Sequence, residues 1–321
     1  MKRLFAASCV LLLAIITSLY FVWGAPQWSA PVERFVVASG TTEFDVITRL
    51  RAEGFIRSQT AFNFLLTLHG WHGKIQSGGY RLSKSMSAWR IASTLAQEPY
   101  QRWVSIPEGL RKEEIANLLA KKLDWDKTEI DHFLNPDPSV GMPSSEGYYF
   151  PDTYLISVDE TGSKVAQRMF NQFNEKFAPL YTQALAKNIK YQTAVKIASI
   201  LEREAAGGND MPIIAGILWN RLDKNMRLEI DATIQYARGD TGSGYWAPIK
   251  VADKNIDSPY NTYRTAGLPP TPIANPGLMS LDAVIHPAET QCLFYIHDSA
   301  HKIHCAKTYD EHKKNIAKYL K

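Results

Sequence analysis

The stretch Lys196-Ile-Ala-Ser-Ile-Leu-Glu-Arg-Glu-Ala-Ala206 decides how this chain is read. With about 100° between successive residues, a helix here gathers Ile197, Ile200 and Leu201 on one face. Glu204 falls on that same face, while Lys196, Ser199 and Arg203 lie opposite and Glu202 sits near the boundary beside Val195 and Ala198. A carboxylate on the apolar side of a helix needs a reason, because burying an unpaired charge is costly. Two readings fit it. Glu204 either reaches out at the helix end or pairs with an Arg, or it is desolvated, keeps its proton near neutrality and serves as a general acid.

Outward from that helix, the chain of 321 residues has room for two domains or one large one. A net charge of +4, spread along the chain rather than bunched, argues against a nucleic-acid partner. Met1-Lys-Arg3 is followed by Leu4 to Trp23, an uncharged and mostly apolar run of about the length that spans a bilayer. Lys2 and Arg3 would hold the N-terminus in the cytoplasm and leave the bulk of the chain outside. A cleaved signal peptide is the alternative, but the sites after Ala25 and Ala30 both carry Trp at the third position before the cut, where a small residue is wanted. The expectation is an uncleaved anchor over residues 1–24, single-pass in the inner (cytoplasmic) membrane, then a linker over 25–33 and a periplasmic, extracytoplasmic remainder.

Residues 34–100 read as strand, helix, helix, strand, helix. Arg34 to Val37 is the first strand. Thr42-x-x-Asp45 opens a helix through Phe44, Ile47 and Leu50, stopped by Gly54. A second helix runs from Gln59 to His69, Gly78 to Leu82 is a strand, and Ser85 to Gln97 is a helix with Trp89, Ala92 and Leu95 inward. This β-α-α-β order is similar to the LysM type of glycan-binding module, although a purely structural unit would show the same order.

Beyond it, residues 101–321 form the larger domain. Tyr100 to Ile106 reads as a strand, and helices are expected over Arg111–Leu123, Gly162–Phe177, Pro179–Ala186, Gln192–Ala206 and from Pro212. Gly147-Tyr-Tyr-Phe-Pro-Asp-Thr-Tyr154 is an aromatic loop whose rings suit either sugar stacking or a core. Asp231 to Pro276, rich in Gly, Pro, Asn and Tyr, cannot be regular throughout, and such segments tend to be functional. The chain closes with a hairpin and a helix opened by Thr308-x-x-Glu311. Cys292 and Cys305 flank that hairpin and are either a cross-strand disulfide or two buried thiols. The overall expectation is an α+β protein.

Most catalytic signatures are missing: there is no GxSxG, Walker loop, HExxH or GxGxxG. His297, His301 and His304 have zinc-like spacing, but on a hairpin these positions do not converge. What remains is Glu204 with the irregular segment. Ala198-Ser-Ile-Leu-Glu-Arg-Glu204 resembles the catalytic helix of the YceG-like family, the endolytic murein transglycosylases. Asn220-Arg-Leu222, Met226-Arg-Leu228, Asp231-Ala-Thr-Ile-Gln-Tyr236, Tyr260-Asn-Thr-Tyr263, Gly267-Leu-Pro-Pro270, Ile273-Ala-Asn-Pro-Gly277 and His286-Pro-Ala288 follow in the family's order. Pro107-Glu-Gly109 and the aromatic loop match upstream. Ala232 departs from the family's Pro, Ala205 from its common Thr, and Ile303-His304-Cys305 from its His-x-Phe element.

The resemblance implies a cut within peptidoglycan glycan strands between MurNAc and GlcNAc, leaving 1,6-anhydro-MurNAc ends. It places the catalytic acid on Glu204, in agreement with the helical reading, and implies no metal and no cofactor. Asp231, Gln235, Asn261 and Thr262 would orient the sugar amides or stabilise charge, with turn chemistry as the other reading. Glu202 joins these substrate-side candidates, and its preferred alternative is an ion pair with Arg221. Two further functions stay open: a non-catalytic peptidoglycan-binding scaffold for cell-wall synthases, and a hydrolase using water at the same Glu.

Overall fold

The structure, a computed structural model, describes residues 22–141 and 146–320. The chain is α+β and its described residues divide into two compact units, one built mainly from those up to Val104 and the other from most of the remainder.

In the first unit, β1 (Val32–Val37) pairs antiparallel with β2 (Gly78–Ser83), with Phe35 opposite Tyr80. β3 (Gln101–Ser105) adds antiparallel to β2, and β4 (Thr153–Ser157) returns from later in the chain to complete a four-stranded sheet. Three helices accompany it: α1 (Glu43–Ala52), α2 (Gln59–His69) and α3 (Ala88–Leu95). Their N-termini are capped by Thr42, Ser58 and Ser87, whose hydroxyls accept the amides of Asp45, Ala61 and Arg90. Leu50, Phe62, Leu66, Leu82, Ile91 and Leu95 form the core.

Two expected inward residues face out instead: Phe44 is 70% and Trp89 47% exposed. Each lies about 100° around its helix from the centre of the buried stripe, which Val46, Ile47 and Leu50 define in α1 and Ala88, Ile91, Ala92 and Leu95 in α3. Among the described residues no helix is long and apolar enough to cross a membrane. The anchor expected over residues 1–24 lies, but for its last residues, outside the described ones.

The second unit is mostly helical. α4 (Lys112–Leu123) and α5 (Lys127–Leu134) precede α6 (Gly162–Ala186), which runs unbroken through Pro179. Two helices were expected there. The apolar stripe of Phe170, Phe173, Phe177 and Ala184 continues past the proline, so packing holds the run together where the missing amide would end it.

α7 (Tyr191–Glu204) is buried along Ala194, Val195, Ile197, Ala198, Ile200 and Leu201 and forms the centre of the core. α8 (Met211–Asp223) starts with Pro212 in its first turn, and α9 (Asp231–Arg238) is a short helix inside the otherwise irregular segment. α10 (Leu278–Ile285) packs on α6, α7 and α8. β5 (Phe294–His297) and β6 (Ile303–Ala306) form the closing hairpin, covered by α11 (Tyr309–Tyr319) with its Thr308–Glu311 capping box. Cys292 and Cys305 are disulfide-bonded.

The motifs around residues 273–277 serve this packing. Asn275 is fully buried, and its Oδ1 accepts the amides of Gly147 at 3.0 Å and Tyr149 at 2.9 Å. Its Nδ2 donates to the Leu110 carbonyl and to Glu146. Ser199 Oγ accepts the Ile273 amide at 3.0 Å, and Glu202 Oε2 accepts the amide of Gly277 at 3.0 Å, at the start of α10. Gly277 leaves room for the Glu108 side chain, whose carboxyl would have to move aside for a Cβ there. The aromatic loop is core: Tyr148, Tyr149, Phe150 and Tyr154 are all buried.

Candidate active site

Glu204 closes α7, on the face that the helical period assigns it, and is partly buried at the wall of a cleft of about 840 Å³. A helix C-terminus carries partial negative charge, so this end of α7 gives a carboxylate no help from the backbone. Help comes from elsewhere. Tyr295 on β5 donates its hydroxyl to Glu204 Oε2 at 2.5 Å, and the Ala232 amide in the first turn of α9 donates to the same carboxyl.

Burial pushes the Glu204 pKa above the ordinary carboxyl value. The Tyr295 and Ala232 hydrogen bonds pull it back, the neighbouring Asp231 charge raises it further, and His297 lowers it. The result is a carboxyl biased toward its protonated form yet able to hold a negative charge after giving the proton up. That combination suits general acid chemistry.

Asp231 opens α9 and lines the cleft opposite, and Tyr263 donates its hydroxyl to Asp231 Oδ1 at 2.5 Å. Burial, then Asp231 itself, pushes the Tyr263 phenol well up, so it stays a donor. Arg221 reaches the cleft from α8 and pairs with Glu229 at 2.7 Å. This replaces the expected Glu202–Arg221 pair. Glu202 faces the start of α10, whereas the turn after Met226 brings Glu229 back to Arg221. Glu229 stands at φ +57°, a left-handed conformation uncommon for a non-glycine residue. Arg221 and the Thr262 carbonyl, which accepts its amide at 3.2 Å, hold it there.

Of the substrate-side candidates, Asp231 alone lines the cleft. Gln235 donates to the carbonyls of Trp246 and Ala247. Asn261, fully buried, donates to the carbonyls of Lys254 and Ile256 and accepts the Tyr263 amide. Thr262 accepts the Ile230 amide at 3.0 Å and bonds Thr233. In the structure these three side chains serve the backbone. Asn261 and Thr262 act one step behind the cleft, since Asn261 holds Tyr263 and Thr262 holds the turn into Asp231. Glu202 is likewise committed to Gly277.

The histidines do not converge. His297 pairs with Asp210 at 2.7 Å, and His304 pairs with Asp298 at 2.8 Å and stacks on Tyr319. Among the described residues no group of three or more His, Cys, Asp or Glu is placed to hold a metal ion. Tyr295 and Tyr263 escaped the sequence reading. Each meets its carboxyl across 91 and 32 residues of chain respectively, and nothing in local spacing marks such a pair.

The sequence model of the YceG-like family matches residues 35–318. An endolytic murein transglycosylase of Bacillus subtilis (strain 168) is 30% identical over 308 residues, covering 88% of this chain and 84% of that protein. An endolytic murein transglycosylase of Streptococcus pneumoniae serotype 2 is 28% identical over 320 residues and 88% of this chain, which spans only 58% of that longer relative. Among solved structures, a putative yceG-like protein from Listeria monocytogenes superposes with a TM-score of 0.60 at 25% identity, covering 89% of this chain and 99% of its own. The acid helix, the cleft and the motifs around them thus lie within one continuous match, and the chain belongs to the YceG-like family.

Proposed function

We propose that the protein is an endolytic lytic transglycosylase that cleaves the MurNAc–GlcNAc bond within peptidoglycan glycan strands and leaves 1,6-anhydro-MurNAc ends. The observation that carries this reading is the desolvated carboxyl of Glu204, held by Tyr295 at a cleft wall, in a chain whose relatives carry that name.

Glu204 protonates the leaving glycosidic oxygen as the C1–O bond breaks. Its carboxylate then takes the proton of the C6 hydroxyl as O6 closes on C1. Proton and electron pairs balance within the sugar and one carboxyl, and no water is consumed. An internal nucleophile makes the second catalytic carboxylate of ordinary glycosidases dispensable. Asp231 is therefore free to stabilise the positive charge that develops at C1, with Tyr263 fixing its orientation.

The apolar run from Leu4 to Trp23 supports a single-pass anchor in the cytoplasmic membrane with the catalytic unit outside, close to where glycan strands emerge. The β-α-α-β order of the first unit supports a LysM-like glycan-binding role. The test is Glu204→Gln. The variant should fold normally and release no anhydro-ended fragments from purified glycan strands, as read by mass. Product from that variant would overturn the assignment. Reducing ends in the wild-type digest would point to a hydrolase, and sacculus binding without product to a scaffold.

A further inference from the structure

Tyr295 reaches Glu204 from an element built to stay still. It sits on β5 directly opposite Cys305 of β6, and Cys305 is disulfide-bonded to Cys292, three residues before Tyr295. Asn220 of α8 donates to the carbonyls of Thr290 at 2.8 Å and Cys292 at 3.1 Å, which ties the approach to β5 down. Asn315 of α11 donates to the Cys305 carbonyl at 3.3 Å and does the same for β6. His297, two residues on and so on the same face of β5, pairs with Asp210. The Asp210 carboxylate accepts the amides of Ala206 at 3.0 Å and Gly207 at 3.2 Å, the turn that follows Glu204. One strand thus grips both the acid and the chain just beyond it.

We propose that Tyr295 is the positioning residue of the catalytic acid, with the disulfide-tied hairpin holding its hydroxyl against Glu204 Oε2. The inference rests on Glu204 being the acid, as argued above. A Glu side chain at a helix end has three free torsions, and an anchored donor on one oxygen selects the orientation that meets the glycosidic bond. The phenol is suited to this task. Burial and the adjacent Glu204 push its pKa well above the ordinary value, so it stays a donor at every working pH. As the proton leaves, the hydrogen bond strengthens on the carboxylate that forms.

Removing the hydroxyl has a signed consequence. A donor to the carboxylate favours its charged form, so its loss makes Glu204 a weaker acid with a higher pKa. The other groups facing Glu204 stay in place: Asp231 from α9, His297 from β5, Tyr263 from the irregular segment and Arg203 from its own helix. Arg221 and Asp210 face Tyr295 itself.

The experiment compares the full-length wild type, Tyr295→Phe and Glu204→Gln on purified glycan oligomers, with anhydro-ended fragments as the readout. Tyr295→Phe should lower kcat about tenfold with little change in KM, the scale of one hydrogen bond to a charged group. The alkaline limb of kcat/KM should move up by about one pH unit. Placing 3-fluorotyrosine at position 295 keeps the contact and the fold but makes the phenol a stronger donor, and should move the same limb down. Wild-type kcat and an unmoved limb in Tyr295→Phe, with Glu204→Gln inactive, would overturn the inference and leave the functional reading standing. If Tyr295→Phe fails to fold, an unmoved limb in the fluorotyrosine enzyme overturns it equally. A wild type that releases no anhydro-ended fragments removes the functional reading and this inference with it.

Discussion

Two carboxyls in the second unit are pushed up by burial, and they behave as opposites. Glu146 is 2% exposed, and its pKa rises to about 8, first through desolvation and then through the neighbouring Glu113. Its oxygens accept the Lys112 amide at 3.1 Å, the Asn275 amide side chain at 2.9 Å and the Tyr236 hydroxyl at 3.3 Å. Everything around it is protein. Glu204 is raised by the same cause, but it borders a cleft, and the hydroxyl that holds it comes from a separately anchored hairpin. A displaced pKa therefore does not mark a catalytic acid. What sets Glu204 apart from Glu146 is the room beside it for a substrate, on which the proposed role rests.

The sharpest way to break this comparison is to neutralise each carboxyl in turn. Glu204→Gln should cost about 10³-fold in turnover, in the range of a lost general acid. Glu146→Gln should leave turnover unchanged, because its amide replaces a carboxyl that is already protonated. Glycan digestion followed by mass analysis reads both. Equal losses would mean that the enclosed carboxyl takes part in the chemistry and that the cleft has been misread.

Asn275 supports the enclosed carboxyl alone. Replacing it by Ala leaves two buried amides, those of Gly147 and Tyr149, without an acceptor, and takes a donor from Glu146. At about 1–3 kcal/mol per unsatisfied buried group, Asn275→Ala should lose about 4 kcal/mol of unfolding free energy in a denaturant titration. A loss below about 1 kcal/mol would show that these amides find other partners.

The pH dependence of stability separates the two groups further. For Glu146 the folded pKa of about 8 lies above the ordinary 4.5. The folded state therefore keeps a proton that the unfolded chain gives up across that interval. Its contribution is fully present below the lower value and is lost as the pH rises toward the upper one, a fall on the order of 5 kcal/mol. Glu204 contributes with the same sign. Glu146→Gln should flatten the alkaline fall in Tm while activity survives, and Glu204→Gln should flatten it while activity is lost. An unchanged slope in Glu146→Gln would mean that water reaches the carboxyl.

What the sequence made legible follows the range of the interaction that decides it. The apolar period of residues 197–204 identified α7 and the odd placement of Glu204, because both are facts of one helix. Thr42, Ser58 and Thr308 act within three residues of themselves, and the helices they cap fall where local chemistry puts them. β4 was not legible. Its five residues gain their partner from a strand about 50 positions earlier, and the burial that holds it in the first sheet has no local signature. α5 also escaped, with Phe133 as its only buried residue and so no stripe to read. Asn261 and Thr262 stand out in the sequence as polar residues in an irregular segment, but that pattern is shared by residues that touch substrate and residues that hold a turn. Only the fold shows that Tyr263 and Asp231 face the cleft while their neighbours face the backbone.

The smallest effect tests how the cleft acid is held. Four residue pairs make up the β5–β6 ribbon, too little to be stable alone, and the ribbon relies on α11, on Asn220 and on the Cys292–Cys305 bond. The bond closes a loop with a sequence separation of 13, which a chain-entropy argument values at about 3 kcal/mol. The retained contacts with α11 and Asn220 reduce that, so Cys292→Ser with Cys305→Ser should lose about 2 kcal/mol in a denaturant titration. Turnover should fall to about that of Tyr295→Phe, since the bond acts on Glu204 mainly through the Tyr295 hydroxyl and secondarily through the His297–Asp210 pair on the same strand. The alkaline slope contributed by Glu146 should not move, because Lys112, Asn275 and Tyr236, which bond Glu146, come from elements other than the hairpin. Full turnover in the double Ser variant would show that α11 and Asn220 hold Tyr295 by themselves. A turnover well below that of Tyr295→Phe would show that the hairpin shapes more of the cleft than the one hydroxyl, through Phe294 at its wall.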